Sequence, residues 1–266
     1  MNTRWLWLLL VLFICSCSPP PVTNNSQTIP ITKTASITEP AATQLPNAPL
    51  LPQVAEDLIT DFEVSSTSSS GVDGGHSYYD KHYQTATFAG IGSGPTIAIG
   101  VDLGMQSAEV TTDCWSPYLS PLQVNRYAAC AGVTKSSVVK QLVKELQDIT
   151  IKWDTALAEF NTHEVVNYWS LTRRTFPGFD NLTLNCQGAL VATVYNRGSS
   201  MVGDSRVDLR TIRSLVNQDK PDYKAIANAF RHMEVTMRAS WQAEGIYAGL
   251  KARYDATAQL AETPDE

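Results

Sequence analysis

The stretch 95-PTIAIGVDLG-104 decides how this chain is read. Thr96, Ile97 and Ile99 suit a pleated, half-buried backbone. Gly100 and Gly104 then bracket an acid, Asp102, in a turn-like setting. Just before it, 78-YYDKHYQTATFAG-90 alternates loosely and meets the glycine-rich turn 90-GIGSG-94, so the region predicts a small hairpin or three-stranded sheet. Upstream, 54-VAEDLITDFEVSS-66 places Val54, Leu58, Ile59 and Phe62 on one helical stripe that ends at Glu63. Between them, 67-TSSSGVDGG-75 has the composition of a flexible loop.

Downstream the periodicity is helical. Ser120 and Pro121 form an N-cap and first-turn pair before 122-LQVNRYAAC-130. Thr134 is placed to cap 135-KSSVVKQLVKELQDI-149, whose valines and leucines form a clear stripe. A further helix spans 153-WDTALAEFNTHEVVNYWSL-171 and stops before Pro177 and Gly178. A very apolar helix, 186-CQGALVATVYNR-197, precedes Gly198, and three more helices are expected near 208–218, 222–233 and 246–260. The expected fold class is therefore α+β, mostly helical, with a small antiparallel sheet, in one domain spanning 54–260 and followed by a tail at 261–266.

The first 53 residues read differently. Arg4, the apolar run 5-WLWLLLVLFI-14 and the small residues after it fit an export signal. The segment 14-ICSC-17 resembles a bacterial lipobox, which implies a signal over 1–17, lipidation at Cys17 and a cell-envelope location, with the membrane engaged through a lipid anchor. Residues 18–53 hold more than half of the chain's 14 prolines and no aromatic, a composition that cannot offset its ordering entropy. They read as a tether whose coil dimension is roughly 35 Å.

Several chemistries are excluded. The net charge of −6 offers no basic footprint for nucleic acid. The four histidines show no metal-ligand spacing: His163-Glu164 begins like a zinc-protease helix, but position 167 is Asn. The run 90-GIGSGP-95 lacks the third glycine of a dinucleotide loop, the lysine of a phosphate loop and the frame of a nucleophile elbow. No cofactor and no metal are expected. Cys114 and Cys130 lie close in sequence, and export permits disulfides, so they are read as a pair with Cys186 left free.

What the residues do support is acid–base work by carboxylates. Glycoside hydrolysis needs one carboxylic acid to protonate the leaving oxygen and a second carboxylate to activate water or act on the sugar. Glu63, after Phe62 on an amphipathic helix, sits at the edge of the core, and Asp102 sits among glycines whose N–H groups can bond it. Thr96 starts the strand and is placed to hold water.

The phrase 96-TIAIG-100 is similar to the Thr-Ile-Gly-Ile/Tyr-Gly strand of phage-type lysozymes, and an Asp six residues after the Thr resembles the pesticin-like branch of that superfamily. The stretch 187-QGALVATVYNRGSSMVGDSRVDLRTIRSLV-216 also resembles those muramidases. The resemblance implies a lysozyme-like two-lobed domain and cleavage of the β-1,4 bond between N-acetylmuramic acid and N-acetylglucosamine in peptidoglycan. It further implies Glu63 as general acid, Asp102 as base or water-orienting carboxylate with Thr96 as its partner, and Tyr195, Asn196 and Arg197 along the cleft. The chain departs from the pattern at Val64 and Ala98, where the family carries Gly, and in 67-TSSSGVDGGH-76, which reads as an insertion. The alternative expectation is a non-catalytic, peptidoglycan-binding envelope lipoprotein on the same scaffold. In either case a monomer is expected.

Overall fold

The computed structural model describes residues 51–68, 71–243 and 246–265, so the export signal, Cys17 and residues 18–50 of the tether expected over 18–53 lie outside the described residues, while Leu51 is buried and Gln53 already begins the first helix. The protein is mostly helical with a small three-stranded antiparallel sheet. Helix α1 (Gln53–Glu63) leads into the strands β1 (Ser66–Ser68) and β2 (Gly71–Asp73), then helix α2 (His76–His82). Strands β3 (Thr87–Phe88), β4 (Pro95–Ile97) and β5 (Val101–Asp102) form the sheet in the order β3-β4-β5. The remainder is helical: α3 (Ala108–Trp115), α4 (Pro121–Ala128), α5 (Ser136–Glu145), α6 (Trp153–Glu159), α7 (Val165–Thr175), α8 (Leu184–Arg197), α9 (Val207–Val216), α10 (Tyr223–Ala243) and α11 (Tyr247–Glu262). Among the described residues no helix is long and apolar enough to cross a membrane.

Helix α8 is the axle of the core. Every residue from Asn185 to Asn196 is buried, which explains its nearly unbroken apolar sequence. Helices α1, α7 and α11 pack around it. Gly188 lets α1 approach closely: a Cβ there would lie 2.5 Å from the Ala55 Cβ. This contact helps to seat the helix that carries Glu63 at its last position. At its own N-terminus, α8 is capped from two directions. The Thr183 hydroxyl accepts from the Cys186 N–H, while the Asp265 carboxylate accepts from Leu184 N–H at 2.8 Å and Asn185 N–H at 3.0 Å. Residues 261–265, expected to be a tail, are thus tied to the domain.

Other expectations need correction. The loose alternation of 78–90 begins in a helix: Tyr79 and Tyr83, one turn apart, both face the core around α2, and only Thr87–Phe88 is strand. Part of the stretch expected to be a flexible loop is strand, with β1 and β2 paired antiparallel and Thr67 opposite Val72. Helix α3 has no counterpart in the sequence reading. It is capped by Ser107, whose hydroxyl accepts from Val110 N–H. Ser120 does cap α4, in a reciprocal capping box with Gln123, but Lys135 rather than Thr134 occupies the N-cap of α5. Cys114 and Cys130 are not bridged. All three described cysteines are free and buried, and Cys130 donates to the Arg126 carbonyl.

Candidate active site

The stretch 96–102 folds as a tight hairpin. Thr96 stands directly opposite Asp102 and Ile97 opposite Val101, leaving Ala98, Ile99 and Gly100 to reverse the chain. Six residues of sequence separation thereby become a cross-strand pair. The reversal uses positive φ at Gly100 (78°) and at Ala98 (49°), and Ala98 is the single non-glycine residue with positive φ among those described. Val64, by contrast, has φ −113°, a backbone that any L residue adopts, so Gly is not needed after Glu63.

Asp102 is held by the two glycines that flank it in space. Its Oδ1 accepts from Gly94 N–H and Gly104 N–H, each at 2.9 Å. Neither glycine tolerates a side chain: a Cβ on Gly94 would lie 2.3 Å from Gly104 N, and one on Gly104 would lie 2.6 Å from the Val133 carbonyl oxygen. These bonds favour the ionised carboxylate, yet burial outweighs them and leaves its pKa raised. Thr96 is buried, and its Oγ1 has no protein hydrogen-bond partner.

Glu63 faces this hairpin. A Cβ on Gly100 would come within 3.2 Å of Glu63 Oε2, so the glycine makes room for the carboxylate. The other oxygen, Oε1, lies 2.7 Å from Nη1 of Arg253, an almost wholly buried guanidinium on α11. The contact is an ion pair whose N–H directions are poorly aligned on the oxygen, since neither atom completes a directed hydrogen bond.

Glu63, Thr96 and Asp102 line one cavity of about 420 Å³, together with Gly100, Tyr195, Asn196 and Glu164. Tyr195 donates to the Ile99 carbonyl at 2.7 Å and so braces the hairpin turn against α8. Asn196 accepts from the Tyr254 hydroxyl at 2.9 Å. Arg197 does not join them. It is outside the cavity lining and donates to the Ser205 carbonyl at 2.7 Å, because it sits at the turn where α8 ends and Gly198 (φ 70°) redirects the chain.

Two residues escaped the sequence reading: Arg253, which stands outside the cavity lining and pairs with Glu63 from behind, and Glu164, which lines it. Arg253 lies on a helix whose apolar pattern is weak, and nothing in its neighbours marks it as buried. Glu164 was visible only as half of a failed zinc motif. It lies at the end of a π-helical turn, Phe160–Glu164, that joins α6 to α7. Gln106 donates to its Oε1 at 3.3 Å, and burial pushes its carboxyl up to about 7. The cavity therefore holds three carboxyls in different settings: one ion-paired, one cradled by backbone N–H groups and one buried against an amide. Comparison with family models and with curated proteins finds no match to this chain.

Proposed function

We propose that this protein is a lysozyme-like glycoside hydrolase that cleaves the β-1,4 bond between N-acetylmuramic acid and N-acetylglucosamine in peptidoglycan, tethered to a membrane through a lipid on Cys17. The observation that carries the reading is the convergence of Glu63, Asp102 and Thr96 on one cavity wall, reached from a helix end and a hairpin. In the proposed chemistry Glu63 reacts in its protonated form: Oε2, the oxygen not paired with Arg253, delivers its proton to the leaving glycosidic oxygen as the bond to the anomeric carbon breaks, which leaves Glu63 as the ion-paired carboxylate. The Thr96 hydroxyl, buried opposite Asp102 and unclaimed by protein partners, turns toward the attacking water beside Asp102 when substrate fills the cavity. Asp102, fixed by two backbone N–H groups, orients that water and takes up its proton. Tyr195 and Asn196 are braced by their own bonds and supply a rigid floor.

The test is digestion of purified peptidoglycan sacculi. The proposal expects release of soluble muropeptides by the wild-type protein. Co-sedimentation with sacculi without release would instead favour a wall-binding role.

A further inference from the structure

Behind the cavity, three side chains of metal-ligating type meet. Cys114 on α3 and Glu159 and His163 on the α6–π-turn helix offer a sulfur, a carboxylate oxygen and an imidazole nitrogen that all lie within 4.8 Å of one another. Glu159 is 1% exposed, and neither of its oxygens has a hydrogen-bond partner. His163 Nδ1 lies 3.9 Å from Glu159 Oε1 and completes no well-directed hydrogen bond, its nearest backbone acceptor being the Glu159 carbonyl one turn earlier. A carboxyl stripped of water and given no partner on either oxygen calls for an explanation. The helix also departs from α geometry here, through an i→i+5 turn that begins at Phe160, and such rare turns are frequent at functional sites.

We propose that Cys114, Glu159 and His163 form a zinc-binding site, with three protein ligands and a fourth position left to water. The donor set suits zinc, a borderline-soft ion that accepts thiolate, imidazole and carboxylate together, whereas calcium and magnesium take oxygen ligands. The size is also appropriate. Ligand bonds of roughly 2.0–2.3 Å place tetrahedral ligand atoms roughly 3.3–3.8 Å apart, so the cluster closes onto an ion by side-chain shifts of roughly 1 Å. His163, part-exposed, connects the site to solvent. Without metal, burial holds the Cys114 thiol and the Glu159 carboxyl protonated, with Asp113 and Glu164 as the nearby acids that reinforce this. On binding, both protons leave to solvent as the ion takes their place. The site would pin α3 to the helix that carries Glu164. Gln106, which bonds Glu164, lies just before α3, so the ion would stiffen the rear wall of the cavity.

The experiment uses the purified, metal-stripped protein, with zinc chloride titrated by calorimetry and metal content measured after gel filtration. Cobalt(II) substitution reports on the ligands. The expected result is one zinc per chain, a thiolate-to-cobalt charge-transfer band and an unfolding midpoint that rises with zinc. Cys114→Ala and His163→Ala each weaken zinc at least about 100-fold, since even outer-sphere partners are worth about 10–100-fold, while Cys130→Ala leaves binding unchanged. If Cys114→Ala does not fold, His163→Ala, at the part-exposed ligand, carries the test. Failure of the wild-type protein to bind zinc stoichiometrically, or equal binding by wild type and all folded variants, overturns the proposal.

Discussion

The two walls of the cavity partner their carboxyls differently. On the front wall Glu63 is ion-paired with Arg253, and Asp102 is gripped by two backbone N–H groups. On the rear wall Glu164 is buried with one amide donor and no cation, and its carboxyl rises to about 7. On the front wall a cation or a pair of N–H groups sits beside each carboxyl; on the rear wall a single amide does, and burial raises the pKa of Glu164 and of Asp102 alike. The proposed chemistry places the reacting groups on the front wall, where position is fixed by paired contacts, and gives Glu164 a supporting place.

That contrast can be broken most sharply by exchanging single atoms on each wall. Glu63→Gln is expected to lower muropeptide release by about 10³-fold, within the range for loss of a general acid, whereas Glu164→Gln changes it by less than about tenfold. Rates on purified sacculi, with folding checked by circular dichroism, give both values. A large loss in Glu164→Gln with activity retained in Glu63→Gln would move the acid to the rear wall.

The next largest effect is on stability. Arg253→Met leaves Glu63 without its cation and removes a guanidinium from the core, with an expected cost of about 3 kcal/mol, the low end for breaking a buried pair because Glu63 keeps some exposure. Urea unfolding measures it. The double variant with Glu63→Gln should cost less than the sum of the two single changes, and strict additivity would show that the pair is uncoupled.

Asp102 supplies the pH test. Its pKa is raised in the folded protein, so the folded state holds that proton more tightly than the unfolded chain does. Its contribution to stability is therefore fully present below the ordinary carboxylate value of 3.8 and is lost as pH rises through the folded value. Activity runs the other way, because a base must be ionised, and the acid limb of the rate profile is expected above 3.8. Asp102→Asn should flatten both dependences, and an unchanged acid limb in any residual activity would assign it elsewhere. Thr96→Val, which keeps the strand and removes only the hydroxyl, is expected to lower the rate about tenfold.

The smallest expected effect lies at the far end of α8. Asp265→Ala removes the acceptor for two N-terminal N–H groups and should cost about 1 kcal/mol in thermal unfolding without changing the rate. A change in rate at unaltered stability would tie the cap to the cavity.

Much of the helical scaffold was legible in the sequence because its signals are local. The stripe ending at Glu63, the Ser120–Pro121 start and the apolar run before Gly198 each encode their own boundary. The meeting of Thr96 with Asp102 was legible only as a spacing that required a bend, and it was Ala98 and Gly100 with positive φ that supplied the reversal. Helix α2 was misread because Tyr79 and Tyr83, one turn apart, satisfy a loose alternation as well as a helical period. Arg253 carries no local signal, and Glu164, Cys114 and His163 were visible only in motifs that the structure does not complete, with Glu159 unmarked beside them. Their meaning comes from partners distant along the chain or from a π turn, and no local periodicity records either.

The central claim is that the front wall carries out hydrolysis with water held at Thr96 and Asp102. The most direct measurement is mass spectrometry of fragments released from sacculi in heavy-oxygen water, after borohydride reduction of their new ends. The account predicts reduced N-acetylmuramic acid ends that carry the heavy oxygen, absent from the Glu63→Gln digest. Reduced N-acetylglucosamine ends, anhydro-sugar ends without the label, or no released fragments would contradict it.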